Sequence, residues 1–413
     1  MTGLRVAIDA RLGGGLSGGV EQILIGLATA LSRQEDDDAE YLFVVHPDQQ
    51  DWIAPYLGGP CRVLPSHMEY PGQPGLIREL RRAWRRRVPL PGRHRRAILS
   101  SDGTIERAGA EVVHFPFQEA FLTEIPSIYQ PHDLQHLHLP DLFSRFERER
   151  REVVYRAHCD RAALVVAMTS WGRNDLLRQY SLPPDKVQVV PGGSVLPSYP
   201  APTDRDLDQL RARLELSESF LLYPAQTWPH KNHLGLLDAL ALVRDRDGVE
   251  IRLVCPGRQT EHFQRIAARA RELRLERAVS FPGFVSPLEL RGLYELAAGL
   301  VFPSRFEGWG LPVCEAFSVG LPVASSSATG LPEVVGDAGL LFDPEDPAAI
   351  ADRVLALWSD SALRSRLAHR GRERAALFSF DRTAAVFRAH YRRLAGRKLP
   401  EEDRILLAAP PPV

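Results

Sequence analysis

Glu307 and Glu315 bracket the run Glu-Gly-Trp-Gly-Leu-Pro-Val-Cys-Glu, with a glycine on each side of Trp309 and Pro312 following Leu311. Glycine lets a backbone approach a ligand closely, and proline suits the first position of a helix because its missing N–H costs nothing there. The run therefore predicts a loop turning into a helix whose free N–H groups bind anions and hydroxyls. Glu307 falls at the loop mouth and Glu315 in the first turn of the helix, so two carboxylates reach one cavity at different depths. Carboxylates accept paired hydrogen bonds from vicinal sugar hydroxyls. Complementing the helix dipole, worth about 0.3 to 1 kcal/mol, is the plainer role, and it does not account for Gly-Trp-Gly-Leu-Pro between the acids.

A second element is Gln226-Thr-Trp-Pro-His230-Lys231-Asn232, placed where a strand gives way to a helix. A lysine there faces a pyrophosphate naturally, since its charge adds to that of the helix-terminal N–H groups. Lysine is rare in this chain, with three in 413 residues. Pro131-His132-Asp133-Leu134-Gln135-His136-Leu137-His138 gathers three histidines and an aspartate, but spacings of four and two residues fit no single element and no fourth ligand is evident, so no metal site is expected. Gly13-Gly-Gly15-Leu-Ser-Gly18-Gly19 lies between a strand and a helix. A dinucleotide-binding loop is the rival reading there, yet this loop is longer than that fingerprint allows and no ribose-binding acid follows a second strand.

Positioning these groups falls to alternating strands and helices. Apolar runs at 5–9, 41–46, 111–115, 127–130 and 164–169 read as buried strands, and the alternation starts afresh at 220–225, 251–255, 278–281, 300–303, 322–325 and 339–342. The expectation is an α/β chain of two Rossmann-like doubly wound domains, with ligands bound at the carboxyl ends of the strands. The first domain is expected over 1–196 and a proline-containing linker over 197–213. A second such domain follows at 214–380, and a final helix with its tail at 381–413.

The 44% hydrophobic and 25% charged content is that of a globular protein, and the formal charge of −1 leaves no basic footprint for nucleic acid. Four scattered cysteines suggest neither a zinc site nor a disulfide framework, which fits a reducing cytoplasm. The start of the chain reads as a strand and not as a signal peptide, and no apolar run approaches the ~20 residues needed to cross a bilayer. The segment 78–96, from Arg78 to Arg96, holds nine arginines around Trp84. Peripheral contact with anionic lipid at the inner face of the membrane and a solvated loop are both open readings of it.

The run from Glu307 to Glu315 resembles the E-x7-E motif of the large retaining GT-B glycosyltransferase family 4, or glycosyl transferases group 1, which includes bacterial mannosyl- and glucosyltransferases. Gly330-Leu-Pro-Glu333 and Leu341-Phe-Asp-Pro344 match that family in order and spacing as well. The resemblance implies two domains facing across a cleft, with the C-terminal helix crossing back onto the first. It places Glu307 by the transferred sugar and diphosphate and Glu315 on the ribose hydroxyls. Amides of Gly308, Trp309, Gly310 and Leu311 would then lie on the sugar, Lys231 on the phosphates, and Gly18 and Gly19 near the diphosphate and acceptor. His132 is implied to bind a sugar hydroxyl.

An arginine that many members carry a few residues before this lysine is absent here, where Ala225, Gln226 and Thr227 stand. His230 or Arg305 is the candidate replacement for its charge. The expected reaction is retaining transfer of a hexosyl group, mannosyl favoured, from a GDP- or UDP-linked sugar to a saccharide or lipid-linked acceptor. No metal ion or other cofactor is expected. A catalytically silent sugar-nucleotide or polysaccharide-binding subunit would share every binding motif. An NAD(P)-dependent oxidoreductase would leave the two glutamates unexplained.

Overall fold

Short strands, most of them rich in Val, Ile, Leu and Ala and buried on both faces, build two parallel sheets. The computed structural model describes residues 3–12, 18–34, 38–68, 98–216 and 219–411; Gly13, Gly14, Gly15 and the arginine-rich segment 78–96 lie outside them. The first sheet contains β1 (Leu4–Asp9), β2 (Ala39–Val45), β3 (Cys61–Pro65), β5 (Val112–Phe115), β7 (Ser127–Tyr129), β8 (Leu164–Ala167) and β9 (Val187–Val189). Its order is β3-β2-β1-β5-β7-β8-β9, while β4 (Leu99–Ser100) and β6 (Phe121–Leu122) pair separately. The second sheet contains β10 (Leu221–Leu222), β11 (Leu253–Pro256), β12 (Val279–Gly283), β13 (Gly299–Phe302), β14 (Val323–Ser326) and β15 (Gly339–Phe342), in the order β12-β11-β10-β13-β14-β15.

In each sheet the chain builds outward from one strand and then returns to its other side, so the order reverses between β1 and β5 and again between β10 and β13. Such switch points open a crevice beyond the carboxyl ends of the strands. Strand β13 is buried along its whole length, and a side chain at Gly299 would meet Leu357 Cδ2 at 2.7 Å, so glycine lets the helix Pro347–Ser359 pack closely there.

Contacts divide the chain into two compact units. The first comprises Met1–Ala167, Arg173–Val189 and Ala384–Ala409, and the second includes Met168–Gly172 and Val190–Thr383. Residues 190–196, expected in the first domain, go with the second unit, and much of the expected linker is the helix Asp204–Leu214. Thr203 and Asp206 close its N-terminus reciprocally as a capping box. The C-terminal segment rejoins the first unit through the helix Phe380–Leu394, where Phe387 and Tyr391 are buried. Tyr391 Oη lies 2.7 Å from His114 Nδ1, and His114 Nε2 lies 2.8 Å from Gln130 Oε1. Burial pushes His114 down to about 3, so this chain of hydrogen bonds is neutral.

Candidate active site

Two loops of the second unit leave neighbouring strands at its switch point. The loop after β10 forms the tight turn Pro229–Lys231, and Asn232 then takes the left-handed conformation at φ 58° before the helix His233–Asp247. Lys231 thus precedes the helix by two residues. Tyr223 Oη donates to the Lys231 carbonyl at 2.5 Å, and Asn232 Nδ2 donates to the Pro344 carbonyl at 2.7 Å. The loop after β13 is zipped to this turn, since the Arg305 N–H donates to the His230 carbonyl at 2.8 Å.

That pairing brings the two charged groups together. Lys231 Nζ donates to Glu307 Oε1 at 2.5 Å, with both side chains mostly shielded, and the ammonium lies 5.7 Å from the centre of the Phe302 ring. The Glu307 backbone is clamped as well: its N–H donates to Thr329 Oγ1 at 3.0 Å, and the same hydroxyl donates to the Glu307 carbonyl at 2.8 Å. Thr329 holds a left-handed φ of 55°, an uncommon conformation for a β-branched residue that clusters at functional sites.

The helix beneath the loop is Leu311–Val319, preceded by Gly310 at φ 103°. No side chain caps it; Pro312 has no N–H and the Val313 N–H donates to the Gly310 carbonyl at 3.0 Å, so the donors left for a ligand are the Leu311 amide and those of the loop before it. Pro312 occupies its second position and Glu315 its fifth, one residue deeper than the sequence suggested, because the helix begins at Leu311. Glu315 is 1% exposed. Tyr294 Oη donates to Glu315 Oε2 at 2.5 Å, while Oε1 is buried without a hydrogen-bond partner among the described residues. Burial raises this carboxyl to about 7, opposed by the tyrosine hydrogen bond. The Trp309 indole turns into the core, edge-on to Phe378 at 5.0 Å, which leaves its backbone for the loop.

Neither candidate for the absent arginine is a free cation. Burial and the neighbouring Lys231 push His230 down to about 2, so it is neutral, and Arg305 Nε is paired with Glu345 Oε1 at 2.6 Å. The charge beside Lys231 is therefore weaker than the sequence reading allowed.

Comparison with known proteins follows the same two-part layout. Residues 17–194 match the family described as Glycosyltransferase Family 4, and residues 205–374 match Glycosyl transferases group 1. The D-inositol 3-phosphate glycosyltransferase of Corynebacterium jeikeium (strain K411) is 30% identical over 287 residues, 66% of this chain and 68% of that protein. The chain belongs to the group 1 glycosyltransferases. O-antigen chain mannosyltransferase B of Escherichia coli is 29% identical over 253 residues, 60% of this chain and 66% of that protein. The match thus spans less than two thirds of that relative's length. Among solved structures, Anabaena HepE in complex with UDP and glucose aligns with a TM-score of 0.69 at 19% identity, covering 94% of this chain and 99% of that one. Sucrose-phosphate synthase from Thermosynechococcus elongatus aligns at 0.70 and 21%, covering 95% and 99%. These likenesses establish the GT-B fold.

In this group 1 glycosyltransferase the remaining expected residues belong to the first unit. Gly18, at φ 56°, precedes the helix Gly19–Ser32, which Gly19 opens. His132 sits at φ 65° with Nε2–H donating to the Pro116 carbonyl at 2.8 Å, so Nδ1 is its acceptor. Burial lowers His132 to about 4, which keeps the ring neutral. The neighbouring histidines go elsewhere: His136 meets Glu152 at 3.4 Å and His138 meets Asp175 at 2.8 Å. Among the described residues no cluster of three His, Cys, Asp or Glu suits a metal, and no helix is long and apolar enough to cross a membrane. Sequence reasoning missed Tyr294 and Thr329, whose roles arise from contacts 21 and 22 residues away.

Proposed function

We propose that the chain transfers a hexosyl group, mannosyl favoured, from a nucleotide-diphosphate sugar to a saccharide or glycolipid acceptor, with retention of anomeric configuration and without a metal ion. The observation that carries this reading is the convergence, at one switch point, of Lys231 paired with Glu307 and the unpartnered oxygen of Glu315. A diphosphate has an ammonium and the Leu311 and loop amides to meet its charge, the sugar has Glu307, and the ribose diol has a buried acceptor in Glu315. The name of the O-antigen chain mannosyltransferase supports a mannosyl group, and that of the D-inositol 3-phosphate glycosyltransferase supports transfer of a sugar. HepE, solved with UDP and glucose, keeps UDP beside GDP as a candidate.

Bond cleavage at the anomeric carbon leaves charge on the diphosphate, where Lys231 and these amides stabilise it. The departing diphosphate takes the proton of the acceptor hydroxyl, so no protein nucleophile is needed. His132, neutral with Nδ1 as acceptor, is assigned a sugar hydroxyl. Backbone amides of Gly308, Trp309, Gly310 and Leu311 serve the donor, and Gly18 and Gly19 belong to a glycine loop serving donor or acceptor. The reaction is assigned to the cytoplasm, with the segment 78–96 as the candidate contact with the inner face of the membrane.

A thermal-shift panel of GDP- and UDP-linked sugars, followed by product analysis with the donor that stabilises most, tests the reading. A raised melting temperature and a transferred sugar are expected. No shift and no donor turnover would remove the transferase assignment, and binding without product would leave the silent subunit.

A further inference from the structure

Glu315 is the most deeply buried acid of the site, and its two oxygens are treated differently. Oε2 receives the Tyr294 hydroxyl at 2.5 Å, and Oε1 has no partner among the described residues. Tyr294 comes from a separate element, the helix Pro287–Leu296, which is fixed at its start by the Ser286–Glu289 capping box and Pro287. Both side chains are 1% exposed, so neither can swing into water. A single donor from a rigid helix fixes the plane of a carboxylate, and an acceptor left buried without a partner is costly unless a ligand supplies the missing donor.

We infer that Tyr294 is a positioning residue for donor binding: its hydroxyl occupies Glu315 Oε2 and holds the carboxylate so that Oε1 is presented to the ribose diol of the nucleotide. This rests on the reading of Glu315 as the ribose acceptor. The phenol never touches the donor and acts only through the carboxylate. The titratable and charged groups around the pair are Cys314 on the helix of Glu315, Tyr199 beside Tyr294, and Arg374, which faces Cys314 from the helix Ser361–Ala375. Cys314 and Tyr294 are pushed up by burial, so they stay neutral across the working range.

Calorimetric titration with UDP, and with GDP in parallel, from about pH 6 to about pH 9 tests the inference on the wild type, Tyr294→Phe, Glu315→Gln and the double variant. Phenylalanine keeps the volume of the ring, and Glu315 can take up a proton once its donor is lost, so Tyr294→Phe is expected to fold. Wild-type affinity is expected to fall as pH drops through about 7. In Tyr294→Phe that fall should move upward by roughly one pH unit, because a hydrogen bond to the charged form has been removed. Adding Tyr294→Phe to Glu315→Gln should cost no further affinity. An unshifted profile in Tyr294→Phe, or an equal loss in both backgrounds, would overturn the positioning role. If neither nucleotide binds the wild type, or if Glu315→Gln binds as the wild type does, the ribose reading beneath it falls instead.

Discussion

Lys231 and Glu307 hold each other at 2.5 Å, so on the proposed function an arriving diphosphate would compete with a carboxylate for the ammonium and, in winning it, would release Glu307 toward the sugar. Lys231→Ala should therefore lower kcat/KM by roughly 100- to 1000-fold, the usual loss for one donor aimed at developing charge. Steady-state kinetics with the preferred donor checks this. Glu315 makes a separate prediction about stability. Its carboxyl rises from an ordinary 4.5 to about 7 on folding, so between those values the folded protein holds a proton that the unfolded chain has released. Stability must then fall as pH rises from 4.5 toward 7 and level off above. The total is roughly 3 kcal/mol, and Glu315→Gln should remove that slope in denaturant melts. Glu307 and Lys231 were legible in the sequence because their signals are local, a glycine turn and a lone lysine. The Tyr294 contact was not, since nothing within an amphipathic helix marks one tyrosine as the partner of an acid 21 residues on.

Among the elements, the start of the helix Leu311–Val319 depends on a conformation that only glycine adopts without strain. Gly310 sits at φ 103°, and a Cβ there would lie 2.6 Å from Leu331 Cδ2. Gly310→Ala should cost about 1 to 3 kcal/mol and weaken donor binding by displacing the Leu311 and loop amides; urea melts and titration of the same sample separate the two losses. Most strands were legible because parallel strands buried on both faces are continuous apolar runs. Strand β3 was not, because Arg62 and Pro65 interrupt its pattern and Cys61–Pro65 is only partly buried. The helix start before Glu315 was off by one residue because Pro312 fits either of the first two positions equally well.

For the whole molecule, the return of residues 384–409 to the first unit is held by groups far apart in sequence. His114 and Tyr391 are 277 residues apart; the family resemblance implied that the C-terminal helix returns to the first domain, but no property of the residues marked this contact. Tyr391→Phe leaves His114 Nδ1 buried without its partner and should destabilise the first unit by about 1 to 3 kcal/mol, read by denaturant melting. The doubling of one sheet order in both units was readable as two rounds of alternation, whereas the less patterned loops of the first unit gave no reading of an acceptor. The central claim concerns the second unit alone, that Lys231 and Glu315 bind one nucleotide-diphosphate sugar. Calorimetric titration of the wild type, Lys231→Ala and Glu315→Ala with the sugar nucleotide that gives product tests it most directly. The account predicts strong loss of affinity in both variants with folding intact, and undiminished affinity in both would contradict it.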